Sequence, residues 1–143
     1  MSNYEAFEAA LRKAELDLER EDFGNRYGYF LRQSYDDFQT LWIIGVNHEG
    51  ESSFHELVVN IMSISAYKLE ETLKFLNKLN TDYNNATFFL YYNEEKQSYD
   101  IRLKRSYFTG DEDFNGETYV GLIYLTHQLL EEVVPKLIRL KYN

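Results

Sequence analysis

The sequence predicts an α+β fold in which an antiparallel sheet of about five strands packs against helices, in the order α-β-β-β-α-β-β-α. Two observations predict this class. Segments with apolar residues every three or four positions lie at the start, middle and end of the chain, and runs rich in aromatic and β-branched residues separate them. The 143 residues, 44% of them hydrophobic, suffice for one hydrophobic core. Because no Pro- or Ser-rich linker divides the chain, we expect one domain over residues 1–143.

The first helix is predicted over about residues 3–20, because its apolar residues fall on one helical face. These residues are Tyr4, Phe7, Leu11, Ala14 and Leu18. Gly24 then interrupts the helical propensity and aromatic residues take over, which predicts a first strand over about residues 27–33. We expect Asp36 and Asp37 to lie in the turn that follows this strand.

The next two strands are predicted over residues 38–47 and 54–64, and Gly50 suits a tight connection between them. This arrangement is typical of an antiparallel hairpin. The stretch over residues 41–44, LWII, is apolar at every position. Since continuous apolar sequence is typical of a strand buried on both faces, we expect this strand to be covered on each side.

A second helix is predicted from Ser65, a suitable N-cap residue, through a row of leucines that ends at Leu79. The sequence LKFLNKLNTDYNNATFFLYYNE then changes abruptly from helical spacing to a row of aromatics. Asn84 and Asn85 supply turn chemistry at this change. The aromatics over about residues 88–92 therefore predict a strand that returns to the sheet.

Apolar and charged residues alternate over about residues 99–103, which predicts a last strand. Such a strand lies at an edge of the sheet or is exposed on one face. A long amphipathic helix is predicted over about residues 119–138. Pro135, the only proline, is expected to kink this helix or to separate its last turn.

The composition excludes several classes of protein. Lys and Arg total 15 against 24 Asp and Glu, a formal net charge of -9, which argues against nucleic-acid binding because phosphates are repelled. The absence of Cys excludes disulfides, thiolate metal sites and cysteine nucleophiles. The N-terminal segment lacks the basic and apolar regions of a signal peptide, and no apolar run is long enough to span a membrane. We therefore expect a cytoplasmic protein without membrane contacts.

One acidic loop offers a weak candidate for a metal site. Asp111, Asp113 and Asn115 alternate before Gly116, as in the first half of a calcium-binding loop. The twelfth position of such a loop is a bidentate Glu, whereas this chain has Leu122. The alternative interpretation is a solvated loop in which Asn115 or Asp113 caps the final helix, and we expect no metal and no cofactor.

The remaining polar residues provide no catalytic signature. The three histidines, His48, His55 and His127, lack zinc-ligand spacing, and Ser63 and Ser65 lack the glycine turn of a serine nucleophile. A single basic cluster, Arg102, Lys104 and Arg105, lies on the last predicted strand. We interpret it as the exposed side of a strand and expect no enzymatic activity.

Tyrosine is unusually abundant, with 13 residues. These tyrosines cannot all be buried if the side chains of each strand alternate between a buried and an exposed face. Because Tyr and Trp are favoured at protein interfaces, we expect some of them to contact a partner protein. The acidic turn that contains Asp36 and Asp37 is the other candidate for contact with a partner. The residues predicted to bind a partner are Tyr29, Trp42, Tyr91, Tyr99, Asp36 and Asp37.

The stretch over residues 69–103 resembles the YbjN family, with LNKLN at the end of the middle helix, an aromatic strand, a short acidic turn and a second strand. The element order and the long final helix also resemble the type III secretion chaperone-like fold of that family. The resemblance implies a chaperone-like protein-binding or regulatory module without catalytic residues, and a homodimer. The acidic loop before the final helix departs from the family's pattern.

Two functions remain open at the level of the sequence. The first is the chaperone-like module, in which a strand edge or a sheet face captures a partner segment. The second is an acidic inhibitor or immunity-type protein that masks the basic surface of a partner enzyme by charge complementarity.

Overall fold

The structure, a computed structural model, describes residues 2–48, 54–109 and 113–143. These residues form three helices and a six-stranded antiparallel sheet, in the order α-β-β-β-β-α-β-β-α. The elements are α1 (Asn3–Lys13), β1 (Glu19–Asp22), β2 (Arg26–Tyr35), β3 (Phe38–Asn47), β4 (Phe54–Ile64), α2 (Leu69–Asp82), β5 (Thr87–Asn93), β6 (Ser98–Phe108) and α3 (Gly116–Tyr142). The strands lie in the order β1-β2-β3-β4-β6-β5, so the α+β class is confirmed and the sheet has one strand more than predicted.

All three helices cover the same face of the sheet, which we call the covered face. The α1 ring of Phe7 packs against Tyr29 of β2 at 4.9 Å between centroids, and the α3 hydroxyl of Tyr119 donates to the carbonyl of Gly45 in β3 at 2.7 Å. On the same side, α2 lies over β5, where Phe88 is buried. Alternate side chains point to the opposite face, which we call the open face because no helix among the described residues packs on it.

The first helix is shorter than predicted, and β1 was missed. A capping box between Ser2 and Glu5 starts α1. The helix ends at Lys13, because Glu15 takes a left-handed φ of 59° and the N–H of Leu16 donates to the Leu11 carbonyl at 2.9 Å. The chain is then free to form β1, whose residues ERED are all exposed and are held by backbone pairing to β2.

The central hairpin is confirmed with the predicted strand limits. Strands β3 and β4 pair antiparallel, with Ile43 opposite Val58. The expectation that residues 41–44 are covered on both sides is wrong, because Ile44 is fully buried on the covered face whereas Ile43 is 36% exposed on the open face. The connection that contains Gly50 lies outside the described residues.

The second half follows the predicted order with corrected details. Ser65 precedes a single 3-10 turn, Ala66–Lys68, and its side chain makes no capping bond, so α2 begins at Leu69. The predicted last strand, β6, lies between β4 and β5 and is exposed on one face, while β5 forms the edge of the sheet.

The final helix runs unbroken through Pro135, so the expectation that this proline separates the last turn is wrong. The missing N–H removes one hydrogen bond from a helix that buried side chains on both sides of the proline anchor, among them Val134 and Leu137. No helix in the described part of the chain is long and apolar enough to cross a membrane.

Candidate binding surfaces

The two edges of the sheet differ in chemistry. Strand β1 presents the charged sequence ERED, a composition that discourages pairing with further strands. Strand β5 presents TFFLYYN, which has no acidic or basic side chain and is longer. An uncharged, aromatic edge strand is a template for an additional strand, so β5 is the edge suited to backbone pairing.

The side chain of Asn80, on α2, caps one position of this edge. Its Oδ1 accepts from the N–H of Phe88 at 2.7 Å, and its Nδ2 donates to the carbonyl of the same residue at 3.0 Å. The amide thus imitates a neighbouring strand, which means that the backbone polar groups of Phe88 point away from β6. Because this direction alternates along an antiparallel strand, the N–H and C=O of Leu90 and Tyr92 also point outward. No hydrogen bond in the described part of the chain occupies them.

Exposed apolar side chains surround the open part of the β5 edge. Residues 73 and 80 lie two turns, or about 10 Å, apart on one side of α2. Since this distance equals about three residues of an antiparallel strand, ideal helix and strand geometry predicts that Leu73 lies near Leu90–Tyr92. Leu73 is 46% exposed, Tyr91 48% and Tyr92 47%. Outward backbone groups and an apolar rim therefore lie together, and we call this region the β5 edge site.

The open face of the sheet carries a second candidate surface. Its centre is apolar, because Ile43 of β3 and Val58 of β4 pair with each other and Phe30 of β2 pairs with Ile43. Cationic side chains lie on both sides of this centre, Arg32 on β2 and Lys104 on β6. The predicted basic cluster is thus divided: Arg102 and Lys104 lie on the open face, whereas Arg105 is buried on the covered face.

Arg102 is held in place on the open face. Its guanidinium lies 3.8 Å from the centre of the Tyr91 ring and 3.6 Å from the buried carboxylate of Asp100. Its Nε is buried and has no hydrogen-bond partner. The ammonium of Lys104 lies 5.7 Å from the ring of Phe89. Neither Lys104 nor Arg32 forms an ion pair with any described residue.

The residues predicted to bind a partner are distributed over the molecule. Tyr29 and Trp42 are 1% and 0% exposed, so they belong to the core and cannot contact a partner without separation of the layers. Tyr91 lies on the open face beside the β5 edge site. Tyr99 is half-buried, and its ring packs at a tilt against the ring of Tyr92, with centroids 5.1 Å apart. Asp36 and Asp37 are exposed together in the β2–β3 turn, far from Tyr91.

His55 lies in a buried aromatic cluster on the covered face. It is 1% exposed, and its Nδ1 accepts from the N–H of Asn47 at 3.1 Å. Burial lowers its pKa to about 4, so the imidazole is neutral at physiological pH. The rings of Tyr107, Phe114 and Tyr119 surround it at 4.8 to 6.1 Å between centroids. This is a structural histidine in the core.

Tyr35, His127 and Glu131 form a polar chain beside a cavity of about 370 Å³ between β2 and α3. The Tyr35 hydroxyl lies 2.7 Å from Nδ1 of His127, whose Nε2 lies 3.1 Å from Glu131. Burial is the main cause that raises the pKa of Tyr35, so its hydroxyl keeps its proton. The chain therefore ties β2 to α3 through its polar groups.

The candidate metal residues do not form a site in the described part of the chain. Asn115 caps α3, because its Oδ1 accepts from the N–H of Thr118 at 3.0 Å, as the alternative interpretation of the loop expected. Asp113 is exposed, and Asp111 lies outside the described residues. No group of three or more His, Asp or Glu residues suited to a metal occurs among the residues that the structure describes.

Comparisons with protein family models, with curated proteins and with solved structures found no match to this chain. The residues of the candidate β5 edge site that sequence reasoning missed are Asn80 and Leu73. Both follow the helical spacing of α2, and only the three-dimensional position of β5 distinguishes them from ordinary surface residues.

Proposed function

We propose that this protein is a non-enzymatic, chaperone-like module that captures an extended segment of a partner protein by strand addition to β5. The observation that carries the proposal is the outward N–H and C=O of Leu90 and Tyr92, which no described residue occupies, on an edge without charged side chains. The resemblance to the YbjN family agrees with such a function.

The energetics predict what the partner must provide. Two outward residues offer four backbone hydrogen bonds, which contribute about 4 kcal/mol in total and at most offset the roughly 4–15 kcal/mol that association costs. Tighter binding therefore requires burial of apolar side chains against Leu73, Tyr91 and Tyr92. The captured segment should place an apolar residue on the α2 side of its strand.

The test compares two substitutions at Leu90. Leu90→Pro removes the outward N–H, which makes no bond to β6, and Pro is tolerated on an edge strand at such a position. Leu90→Ala removes the side chain and keeps the N–H. We would select 12-residue peptides from a displayed random library on the unmodified protein and measure their affinities by isothermal titration calorimetry.

We expect the proline variant to bind the selected peptides at least about tenfold more weakly than the alanine variant, because a donor and its pairing geometry are lost. Circular dichroism would verify that both variants remain folded. Equal affinities for the proline variant, the alanine variant and the unmodified protein would show that the peptides bind elsewhere and would overturn the proposal.

The second function, an acidic inhibitor, is supported by exposed carboxylates on β1 and in the β2–β3 turn. Glu19, Glu21, Asp22, Asp36 and Asp37 are all exposed. A basic partner would bind these side chains by charge complementarity. Binding to polylysine that the charge-neutralising variants Asp36→Asn and Asp37→Asn weaken would favour this function.

A further inference from the structure

We propose that the open face is a second docking surface, which binds an amphipathic α-helix with acidic residues along both sides of its apolar stripe. This surface is distinct from the β5 edge site and takes a partner of different secondary structure. The proposal goes beyond strand capture, and the two can fail separately.

The apolar stripe of the surface crosses the two central strands. Ile43 is 36% exposed, and Leu41, Val58 and Phe30 are half-buried although no helix among the described residues lies over them. Leu41 and Ile43 both face outward because side chains alternate on β3. A sheet face of this kind is normally covered by a helix, and here the chain supplies helices to the other face only.

The cationic residues are spaced to flank one helix. Arg32 lies on β2, and Arg102 and Lys104 lie on β6, three strand spacings away, or about 14 Å. An α-helix with its side chains is about 10–12 Å in diameter. A helix that rests on Ile43 and Val58 would therefore have cationic residues along both sides.

The charges on this surface select an acidic partner. From β2 to β5, the two pairing rows through Ile43 and Leu41 contain three cationic side chains and no carboxylate. The nearest carboxylates on this face are Glu19 at the β1 edge, Glu56 in the next row and Asp100, which is buried and pairs with Arg102. Acidic residues on a helix would supply ion-pair partners to Arg32 and Lys104.

The same charges disfavour other occupants. In a face-to-face dimer whose strands are aligned, the two-fold axis places the cationic flanks of one copy opposite those of the other. A nucleic acid would meet a molecule whose net charge is -9, and its phosphates would be repelled outside this small surface.

The experiment uses two designed helical peptides of about 20 residues with the same leucine stripe, one flanked by Glu and the other by Lys. Affinities would be measured by calorimetry, and the contact would be located by backbone amide chemical shifts. We expect the Glu-flanked peptide to bind at least about tenfold more tightly, with the largest shifts around Ile43 and Val58.

Charge reversal provides the matched variants. The double variant Arg32→Glu, Lys104→Glu should reverse the preference and favour the Lys-flanked peptide. Its control is Lys74→Glu, Lys78→Glu, which changes the net charge equally on the exposed side of α2 and should leave the preference intact. Leu90→Pro should also leave it intact, so failure of this proposal is distinguishable from failure of strand capture.

Four outcomes would overturn the inference: no binding of the Glu-flanked peptide, equal binding of both peptides, shifts confined to another surface, or preferential binding of a single-stranded oligonucleotide. A dimer that Ile43→Asp dissociates would also overturn it, because a second copy would then occupy the face. Light scattering on the unmodified protein and on this variant decides that last case.

Discussion

At the scale of single residues, the buried imidazole of His55 makes the stability of the protein depend on pH. Its pKa is about 4 in the folded protein against an ordinary value of 6.5, so the unfolded chain binds the proton more readily. The stability that neutral His55 provides is therefore complete above pH 6.5 and is lost as the pH falls towards 4. The maximal loss from this residue is about 3 kcal/mol.

Urea unfolding at several pH values between 7 and 4 would measure this loss. The control is His55→Asn, which keeps an acceptor for the N–H of Asn47 and cannot be protonated. We expect its free energy of unfolding to depend less steeply on pH than that of the unmodified protein over this interval. Parallel pH profiles would mean that other groups cause the dependence.

Two glycines of α3 should respond oppositely to the same substitution. A Cβ on Gly116 would lie 2.3 Å from the carbonyl oxygen of Ala6, so Gly116→Ala must push α1 away and should cost about 1–3 kcal/mol. A Cβ on Gly121 would meet nothing within 4 Å, so Gly121→Ala should stabilise α3 by about 0.5–1 kcal/mol. Thermal unfolding of both variants would measure the two changes in stability. A Gly116→Ala variant as stable as the unmodified protein would contradict the close contact between α3 and α1.

At the scale of elements, Asn80 determines how much of the β5 edge is free. In the unmodified protein, we expect the amide of Phe88 to exchange slowly with solvent and those of Leu90 and Tyr92 to exchange fast. Asn80→Ala should make the Phe88 amide exchange fast and cost about 1 kcal/mol. The control is Asn77→Ala, one turn earlier on α2, which should change neither quantity. Uniformly slow exchange along β5 would disprove the outward direction of Leu90 and Tyr92.

The elements that the sequence predicts are those with a side-chain pattern. Residues 38–47 and 54–64 are apolar enough to specify both strands and their pairing. Strand β1 has no such pattern, because its four residues are charged and exposed. Backbone bonds to β2 hold it, together with contacts of Arg20 to Glu8 and to the Tyr27 ring. The sequence does not predict the end of α1, because Leu18 continues the apolar spacing and Leu16 is a further apolar residue. The helix ends through the left-handed backbone conformation of Glu15, which has no side-chain pattern.

The residues of the candidate sites also divide into those that a sequence pattern indicates and those that only the fold reveals. Of the aromatics that the sequence singled out, Tyr91 is exposed, whereas burial assigns Trp42 and Tyr29 to the core. Alternation alone does not reveal which face of the sheet the helices cover. The role of Asn80 depends on a contact between a helix and the strand that follows it. Neither the choice of the covered face nor the contact of Asn80 with β5 leaves a signal in the composition or the spacing of residues.

At the scale of the whole molecule, the net charge of -9 conceals three surfaces of different charge. They are the uncharged β5 edge site, the cationic centre of the open face, and the carboxylates of β1 and the β2–β3 turn. The affinity of each surface for its partner should therefore depend differently on the salt concentration. Charged contacts at exposed positions are screened when the Debye length falls from about 10 Å to a few ångströms, whereas backbone pairing and apolar burial are not.

We expect peptides at the β5 edge site to change affinity less than about twofold between about 0.05 and 0.5 M NaCl, while the Glu-flanked helix loses at least about tenfold. Calorimetry at the two salt concentrations measures both. The matched comparison is a peptide of the same sequence with its acidic residues replaced by Gln, whose affinity should not depend on salt. If binding of the edge peptides falls steeply with salt and survives Leu90→Pro, the partner is held by charge, and the carboxylates of β1 and the turn become the functional surface.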